Sequence, residues 1–154
     1  MRGRERANRI IKEFPYTGSQ WIYELLDYLD ILYFEEPFDN VSALVARFED
    51  KTAIVVDKDA SPQKKREYIA HELGHYFFHT GNMTLYKNKN PLEANKDERK
   101  AQEFALYLLV PEDKLRELLD VIDPPTLEEL ADEFGVTVEF IKERLELEER
   151  YRGF

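Results

Sequence analysis

No cysteine occurs in the 154 residues. That excludes a disulfide framework and a thiolate metal site alike, so a bound transition metal would have to be held by His, Asp or Glu. Histidine is itself scarce, with three in the chain, which makes any close pair informative. No apolar run approaches the ~20 residues that cross a bilayer. The charged opening Met1-Arg2-Gly3-Arg4-Glu5-Arg6 leads into no signal-like apolar core, so a cytoplasmic location with no membrane partner is expected. An excess of positive charge is missing too. The 22 Lys and Arg are outnumbered by 32 Asp and Glu, for a net charge of −10. Binding nucleic acid requires clustered cations that displace counterions from phosphates, and no direct nucleic-acid contact is expected.

What is present suits one folded domain over residues 1–154. Apolar residues make up 43%, and ten Phe and nine Tyr supply large packing area, enough for a core without staples. Residues 4–14 read as a helix closed by Pro15. Ser19 is a candidate N-cap for a helix carrying Trp21, Ile22, Leu25, Leu26 and Leu29 at helical spacing. Ile31–Phe34 suits a strand; Val41–Phe48 suits helix or strand, with a strand favoured in its second half; and Lys51–Asp57 is a further strand, with Glu49-Asp50 at a hairpin turn. Ser61-Pro62 then opens a helix to about Thr80, since a proline at the first helical position forfeits no hydrogen bond. A polar loop is expected over 82–96, a helix over 97–109, another from Pro111 to about Val121, and a break at Pro124-Pro125. Thr126 caps Leu127–Phe134, Gly135 turns the chain, and Val138–Arg150 closes it, so 126–150 forms a helical C-terminal subregion. Strands early and helices late give an α+β fold, a small antiparallel or mixed sheet of about three strands packed with helices.

The chemistry lies in His71-Glu72-Leu73-Gly74-His75. Positions i and i+4 share one helix face, so both imidazoles can aim at a single cation. Glu72, rotated ~100° from His71, can reach an attacking water without being a ligand, as a general base must. A solvated helix face could carry the same pattern. Tyr68, Ile69 and Ala70 before it and Tyr76, Phe77 and Phe78 after it are too apolar for that. Gly74, which costs ~1 kcal/mol against Ala in a helix, makes sense if another element passes close by.

A third ligand is required. His79 lies ~12 Å along the helix from His71, beyond the span of one ion, and suits a supporting, substrate-contacting or capping role. Among the carboxylates that follow (Glu93, Asp97, Glu98, Glu103 and Glu112), Glu98 shares a face with Ala101, Ala105 and Leu109. Glu103 points ~140° away, towards solvent, and Asp97 is ~100° off. Glu98 is therefore the expected ligand, in the first turn of its helix where the dipole favours a carboxylate.

These residues resemble the ImmA/IrrE family of metallo-endopeptidases. Three blocks carry the likeness: Ala53-Ile54-Val55-Val56 followed by Arg66 to His75; Glu98-Arg99-Lys100-Ala101-Gln102-Glu103-Phe104-Ala105 running into Leu108-Leu109-Val110-Pro111; and Leu127-Glu128-Glu129-Leu130-Ala131 with Phe134-Gly135-Val136-Thr137. The resemblance covers about residues 20–146. The resemblance implies Zn²⁺ held by His71, His75 and Glu98, with Glu72 as base. It also implies a protein substrate, a helix-turn-helix transcriptional repressor being the expected partner. Gln102 stands where asparagine is expected and Lys100 where a second acid is common. Neither is assigned to the metal.

The expected activity is metal-assisted peptide hydrolysis, with Tyr76, His79, Tyr86 and Tyr107 as candidate donors to the oxyanion. One alternative keeps the zinc but acts as a binding partner or antitoxin-like regulator with little proteolysis. Another is DNA binding through the helix-turn-helix outline of 127–145, opposed by nine acidic against three basic side chains over 126–150.

Overall fold

The computed structural model describes residues 1–78 and 91–152, without the side chains of 91–94 and 152. Helices α1 (Gly3–Glu13) and α2 (Trp21–Tyr28) precede three strands, β1 (Ile31–Glu36), β2 (Ala43–Phe48) and β3 (Lys51–Asp57). Five further helices follow: α3 (Pro62–Phe78), α4 (Pro91–Leu109), α5 (Glu112–Leu119), α6 (Leu127–Phe134) and α7 (Val138–Arg152). The architecture is α+β with a mixed sheet and a helical C-terminal part, as expected.

The sheet order is β1-β3-β2. β2 and β3 form the expected antiparallel hairpin, with Phe48 opposite Lys51. Its turn places Glu49 at φ 59°, the left-handed conformation that lets a tight turn follow the strand twist. β1 runs parallel to β3, with Ile31 opposite Thr52, so the 37–42 connection crosses the end of β3 to reach the far edge.

Alternation along the strands sends Ile31, Val45, Ile54 and Val56 inward. They meet Ile69, Ala70 and Leu73 of α3, which lies against β2 and β3. The Ser61 hydroxyl caps α3 by accepting from Lys64 N–H at 3.1 Å. α3 in turn packs on α4, and α1 covers α4 from the other side. Both contacts need glycine. A Cβ on Gly74 would stand 2.8 Å from Ala101 Cα, and one on Gly3 would stand 2.6 Å from Phe104 N. The alanine at 101 and the glycine at 74 therefore let α3 and α4 touch backbone to backbone, the reason expected for a glycine inside the motif helix.

The C-terminal helices are keyed to the start of α3. Buried Arg66 donates from Nε to the Gly135 carbonyl at 2.7 Å, and Glu67 accepts the Thr137 N–H at 2.7 Å. Thr126 and Glu129 form a reciprocal capping box on α6, and Gly135 ends that helix at φ 69°. α7 is tied back by Arg144, which is fully buried. Its Nε donates to the Val110 carbonyl at 2.9 Å, and Nη1 meets Glu148 at 2.9 Å. The guanidinium also lies 3.8 Å from the Tyr107 ring centroid.

Several boundaries differ from the sequence reading. α4 begins at Pro91, not near Asp97, because proline serves as a first helical residue and Leu92-Glu93-Ala94-Asn95-Lys96 continue the helix. Glu98 thus sits about two turns inside α4, and the helix-dipole argument for it lapses. α2 follows Gln20 without a side-chain cap, so Ser19 is not its N-cap. α5 stops at Leu119, short of Val121. The expected end of α3 at Thr80, the stop at Gly81 and most of the expected loop lie outside the described residues.

Burial opposes ionisation of Glu148, but the hydrogen bond and charge of Arg144, joined by Arg116 at 3.1 Å, outweigh it and hold the carboxyl below its ordinary pKa. A depressed carboxylate stabilises the fold above its unfolded pKa, and that contribution fades as pH falls through the folded value. Glu148→Gln leaves the Arg144 cation buried and should destabilise by about 3 kcal/mol near neutrality. Urea unfolding should show the gap between parent and variant closing below about pH 4. A gap that is constant with pH would mean that the pair contributes through packing alone.

Candidate metal centre

α3 presents His71 and His75 one turn apart, their rings 4.9 Å between centroids. α4, held close by the Gly74–Ala101 contact, brings Glu98 between them. Its Oε2 lies 2.8 Å from His71 Nε2 and its Oε1 2.9 Å from His75 Nε2. One donor atom from each residue lies within 4.8 Å of the others. Among the described residues this is the only such cluster of three metal-binding side chains. Two imidazole nitrogens and a carboxylate oxygen suit a tetrahedral zinc ion with ligands at about 2 Å and one position left for water or substrate. His75 is buried, whereas Glu98 is nearly half exposed, so the cluster opens to solvent on its α4 side.

Glu72 is not in the cluster. It turns towards β2, where its carboxylate takes a hydrogen bond from the Val45 backbone. Burial raises its pKa; the neighbouring histidines and the Val45 bond pull it down, Glu98 adds to the rise, and the net direction is upward. A carboxyl whose pKa is raised is a stronger base while still ionised. For His71, burial disfavours the charged ring, but the hydrogen bonds to Glu98 and Gln102 outweigh it and raise the pKa.

Gln102 gains a role that its sequence position did not suggest. Its Oε1 lies 2.8 Å from His71 Nδ1, and its Nε2 donates to Glu143 Oε1 of α7 at 3.2 Å. A carboxylate only accepts, so Glu143 fixes which end of the amide faces it. The carbonyl then faces His71 and holds the proton on Nδ1, which leaves Nε2 free to bind a metal. The available signal was its spacing: Gln102 is one turn beyond Glu98 on the same helix face. A cavity of about 290 Å³ adjoins the centre, lined by Ser42, Ala43, Lys64, Tyr68, His71 and Glu72 among others. Tyr68, read from the sequence as apolar support, is part of that wall because it precedes His71 by one turn.

The other candidates separate clearly. Tyr107 is no oxyanion donor: it sits ~180° around α4 from Glu98, fully buried against Arg144. Glu103 is directed away from the cluster as expected, but not into solvent. It accepts from Gly3 N–H at 3.0 Å and from the Tyr151 hydroxyl. Glu112 pairs with Arg4. Tyr76 lies beside His75, under Arg47. His79 and Tyr86, and the side chain of Glu93, lie outside the described residues.

The family model of the peptidase M78 group, described as the IrrE N-terminal-like domain, matches residues 26–146. Metallopeptidase ImmA of Bacillus subtilis is 28% identical over 121 residues, covering 77% of this chain and 71% of its own length. The phage-like element PBSX protein XkdA of the same organism is 28% identical over 117 residues, 75% of this chain and 58% of its own. A solved Mycobacterium tuberculosis transcriptional regulator superposes with a TM-score of 0.65 at 16% identity, covering 93% of this chain and 55% of that one. That likeness concerns the fold alone. The chain thus spans little more than half of two of these proteins.

Gln102→Ala frees the His71 ring to rotate and to adopt the wrong tautomer. Competition with a chromophoric chelator should show zinc affinity lowered by about 10-fold, with the circular dichroism spectrum unchanged. Parent-like affinity would remove Gln102 from the support of the centre.

Proposed function

The chain belongs to the IrrE N-terminal-like family of M78 peptidases, the ImmA/IrrE metallopeptidases, and on that premise we propose that it is a zinc-dependent endopeptidase that hydrolyses a peptide bond in a partner protein, a helix-turn-helix transcriptional repressor. The observation that carries this reading is the convergence of His71, His75 and Glu98 with Glu72 beside them but outside the donor set. Three protein ligands with a carboxylate held apart are what hydrolysis needs and a purely structural zinc site does not.

In this reading His71, His75 and Glu98 are the metal ligands and Glu72 is the general base. Zinc, when bound, supplies Lewis acidity to a water molecule and to the scissile carbonyl. Glu72 takes the water proton on its carboxylate and returns one to the leaving amine. The Val45 N–H steadies that carboxylate, so the base keeps its aim as it gains and loses the proton. Gln102 keeps the His71 proton on Nδ1 throughout. The substrate reaches the centre beside the cavity that Ala43 and Tyr68 wall, and one of its side chains enters that cavity. The repressor as substrate rests on the family resemblance.

The roles of the two glutamates can be told apart. Glu72→Gln preserves shape and removes the base, so the variant should retain zinc after dialysis against a mild chelator yet cleave at least ~100-fold more slowly. Glu98→Ala should lose zinc by ~10-fold or far more in affinity, whereas Asp97→Ala, outside the donor cluster, should bind like the parent. Cleavage is read as a discrete fragment from a helix-turn-helix regulator incubated with the zinc-loaded protein. Loss of zinc in Glu72→Gln would make Glu72 a ligand. An intact regulator in a tight complex would favour a binding role without proteolysis.

A further inference from the structure

Among the described residues, helices cover the sheet on one face only. Three contacts fix which face: Tyr33 meets Tyr23 of α2, Glu35 meets Lys65 of α3, and Arg47 lies over Tyr76 of α3. Odd positions of β1 and β2 therefore point to the helices, as do buried Thr52, Ile54 and Val56 of β3. By the pleat, Leu32, Phe34 and Glu36, then Leu44, Ala46 and Phe48, and Lys51, Ala53, Val55 and Asp57 form the opposite face. Leu32 is 43%, Phe34 46% and Phe48 77% exposed. The described helices that pack on the sheet, α2 and α3, lie on the helix side.

Every position in the middle of this outer face is apolar, in a chain with 35% charged residues. A sheet face that stays in water normally alternates polar residues outward, and natural sheets place charges where association must be avoided. Charge appears here only at the two ends, with opposite signs. Lys51 stands at the start of β3, and Asp57 with neighbouring Glu36 stands at the far end. Register makes the pattern self-complementary, because Lys51 and Asp57 lie equally far from Ile54 on the central strand.

We propose that this face is the docking surface for a second copy of the chain, in a twofold dimer whose sheets pack face to face with strands antiparallel across the interface. A twofold axis over Ile54, perpendicular to the strands, sets Ala53 over the second copy's Val55 and each Lys51 over the other copy's Asp57. The alternative axis, along the strands, sets Lys51 over Lys51 and is repulsive. The ~30° rotation usual between packed sheets moves residues ~10 Å from the axis by ~5 Å, which a lysine stem absorbs. Equal spacing about Ile54 is what a second copy requires and an unrelated partner does not. The strand spacing and rise give a flat footprint of roughly 300 Å². That is below the ~800 Å² per partner of a standard interface, so the dimer is weak and concentration-dependent.

Sedimentation velocity should show the parent chain in a monomer–dimer equilibrium with a dissociation constant between roughly 0.1 and 1 mM. Phe34→Glu and Leu32→Lys, both at exposed positions, should be monomeric with native circular dichroism. Lys51→Glu alone and Asp57→Lys alone each place like charges together, twice per dimer, and should dissociate at least ~10-fold more readily. Mixed in equal amounts, these two variants regain both opposite-charge pairs and should associate to within a few-fold of the parent. A lesion in folding cannot be rescued that way. The proposal is overturned if the parent remains monomeric to roughly 1 mM, as it would if a different protein covers this face. It is overturned equally if the dimer survives Phe34→Glu, or if the mixture associates no better than its components.

Discussion

A side chain at position 74 would come within 2.8 Å of Ala101 Cα and 2.9 Å of its carbonyl oxygen, so the spacing of α3 and α4 depends on a hydrogen atom at Gly74 and a methyl at Ala101. Everything at the centre follows from that spacing. His71 and His75 need only the pitch of α3 to share a face, but Glu98 comes from another helix across a stretch of chain. It reaches both imidazoles because the two backbones touch one turn away. Larger residues would separate the helices by the thickness of a side chain, and a carboxylate of fixed length would no longer span the gap.

The same contact orders the surroundings. With α4 against α3, Gln102 falls beside His71 on the ring edge opposite the carboxylate. Its amide is oriented in turn by Glu143, so α7 bears on the tautomer of a histidine two helices away. α7 is not loosely hung. Arg66 and Glu67, just before the motif, grip the Gly135 turn and the Thr137 N–H, and Arg144 is buried against Val110 and Tyr107 at the end of α4. The acidic helical pair that outlines a helix-turn-helix in the sequence is thus packed as a brace for α3 and α4. Its nine acidic against three basic side chains over 126–150 oppose the approach of phosphates.

Glu72 shows how the sheet contributes. β2 lies on the sheet edge, and its Val45 N–H bonds the buried carboxylate instead of a further strand. Glu72 stays outside the donor cluster although it is adjacent to His71 in sequence, because one residue of α3 turns it ~100° away. The two glutamates therefore differ in surroundings. Glu98 is nearly half exposed between two imidazoles, while Glu72 is largely buried with its proton affinity raised by burial.

Local rules were enough for much of this. Alternation and turn residues placed the three strands, and Ser61-Pro62, Thr126 and Gly135 marked helix ends through caps that act within a few residues. The i, i+4 spacing put both histidines on one face, and the facing of Ala101 and Ala105 singled out Glu98. The start of α4 is hidden in the sequence because polar Asn95 and Lys96 look like loop, although Pro91 is a sound first residue for a helix. Parallel pairing of β1 with β3 could not be read, because it joins residues whose contact depends on the whole chain path. Gln102 was visible as a departure but not as a support, and Glu103 was assigned to solvent because α1 and Tyr151 could not be seen opposite it. Tyr107 remained a candidate for the site until its burial against Arg144 was known. The sequence by itself determined which residues can bind and act, since chemistry and helical periodicity are local. Only the tertiary structure decided which of them meet, since that rests on how closely two backbones approach.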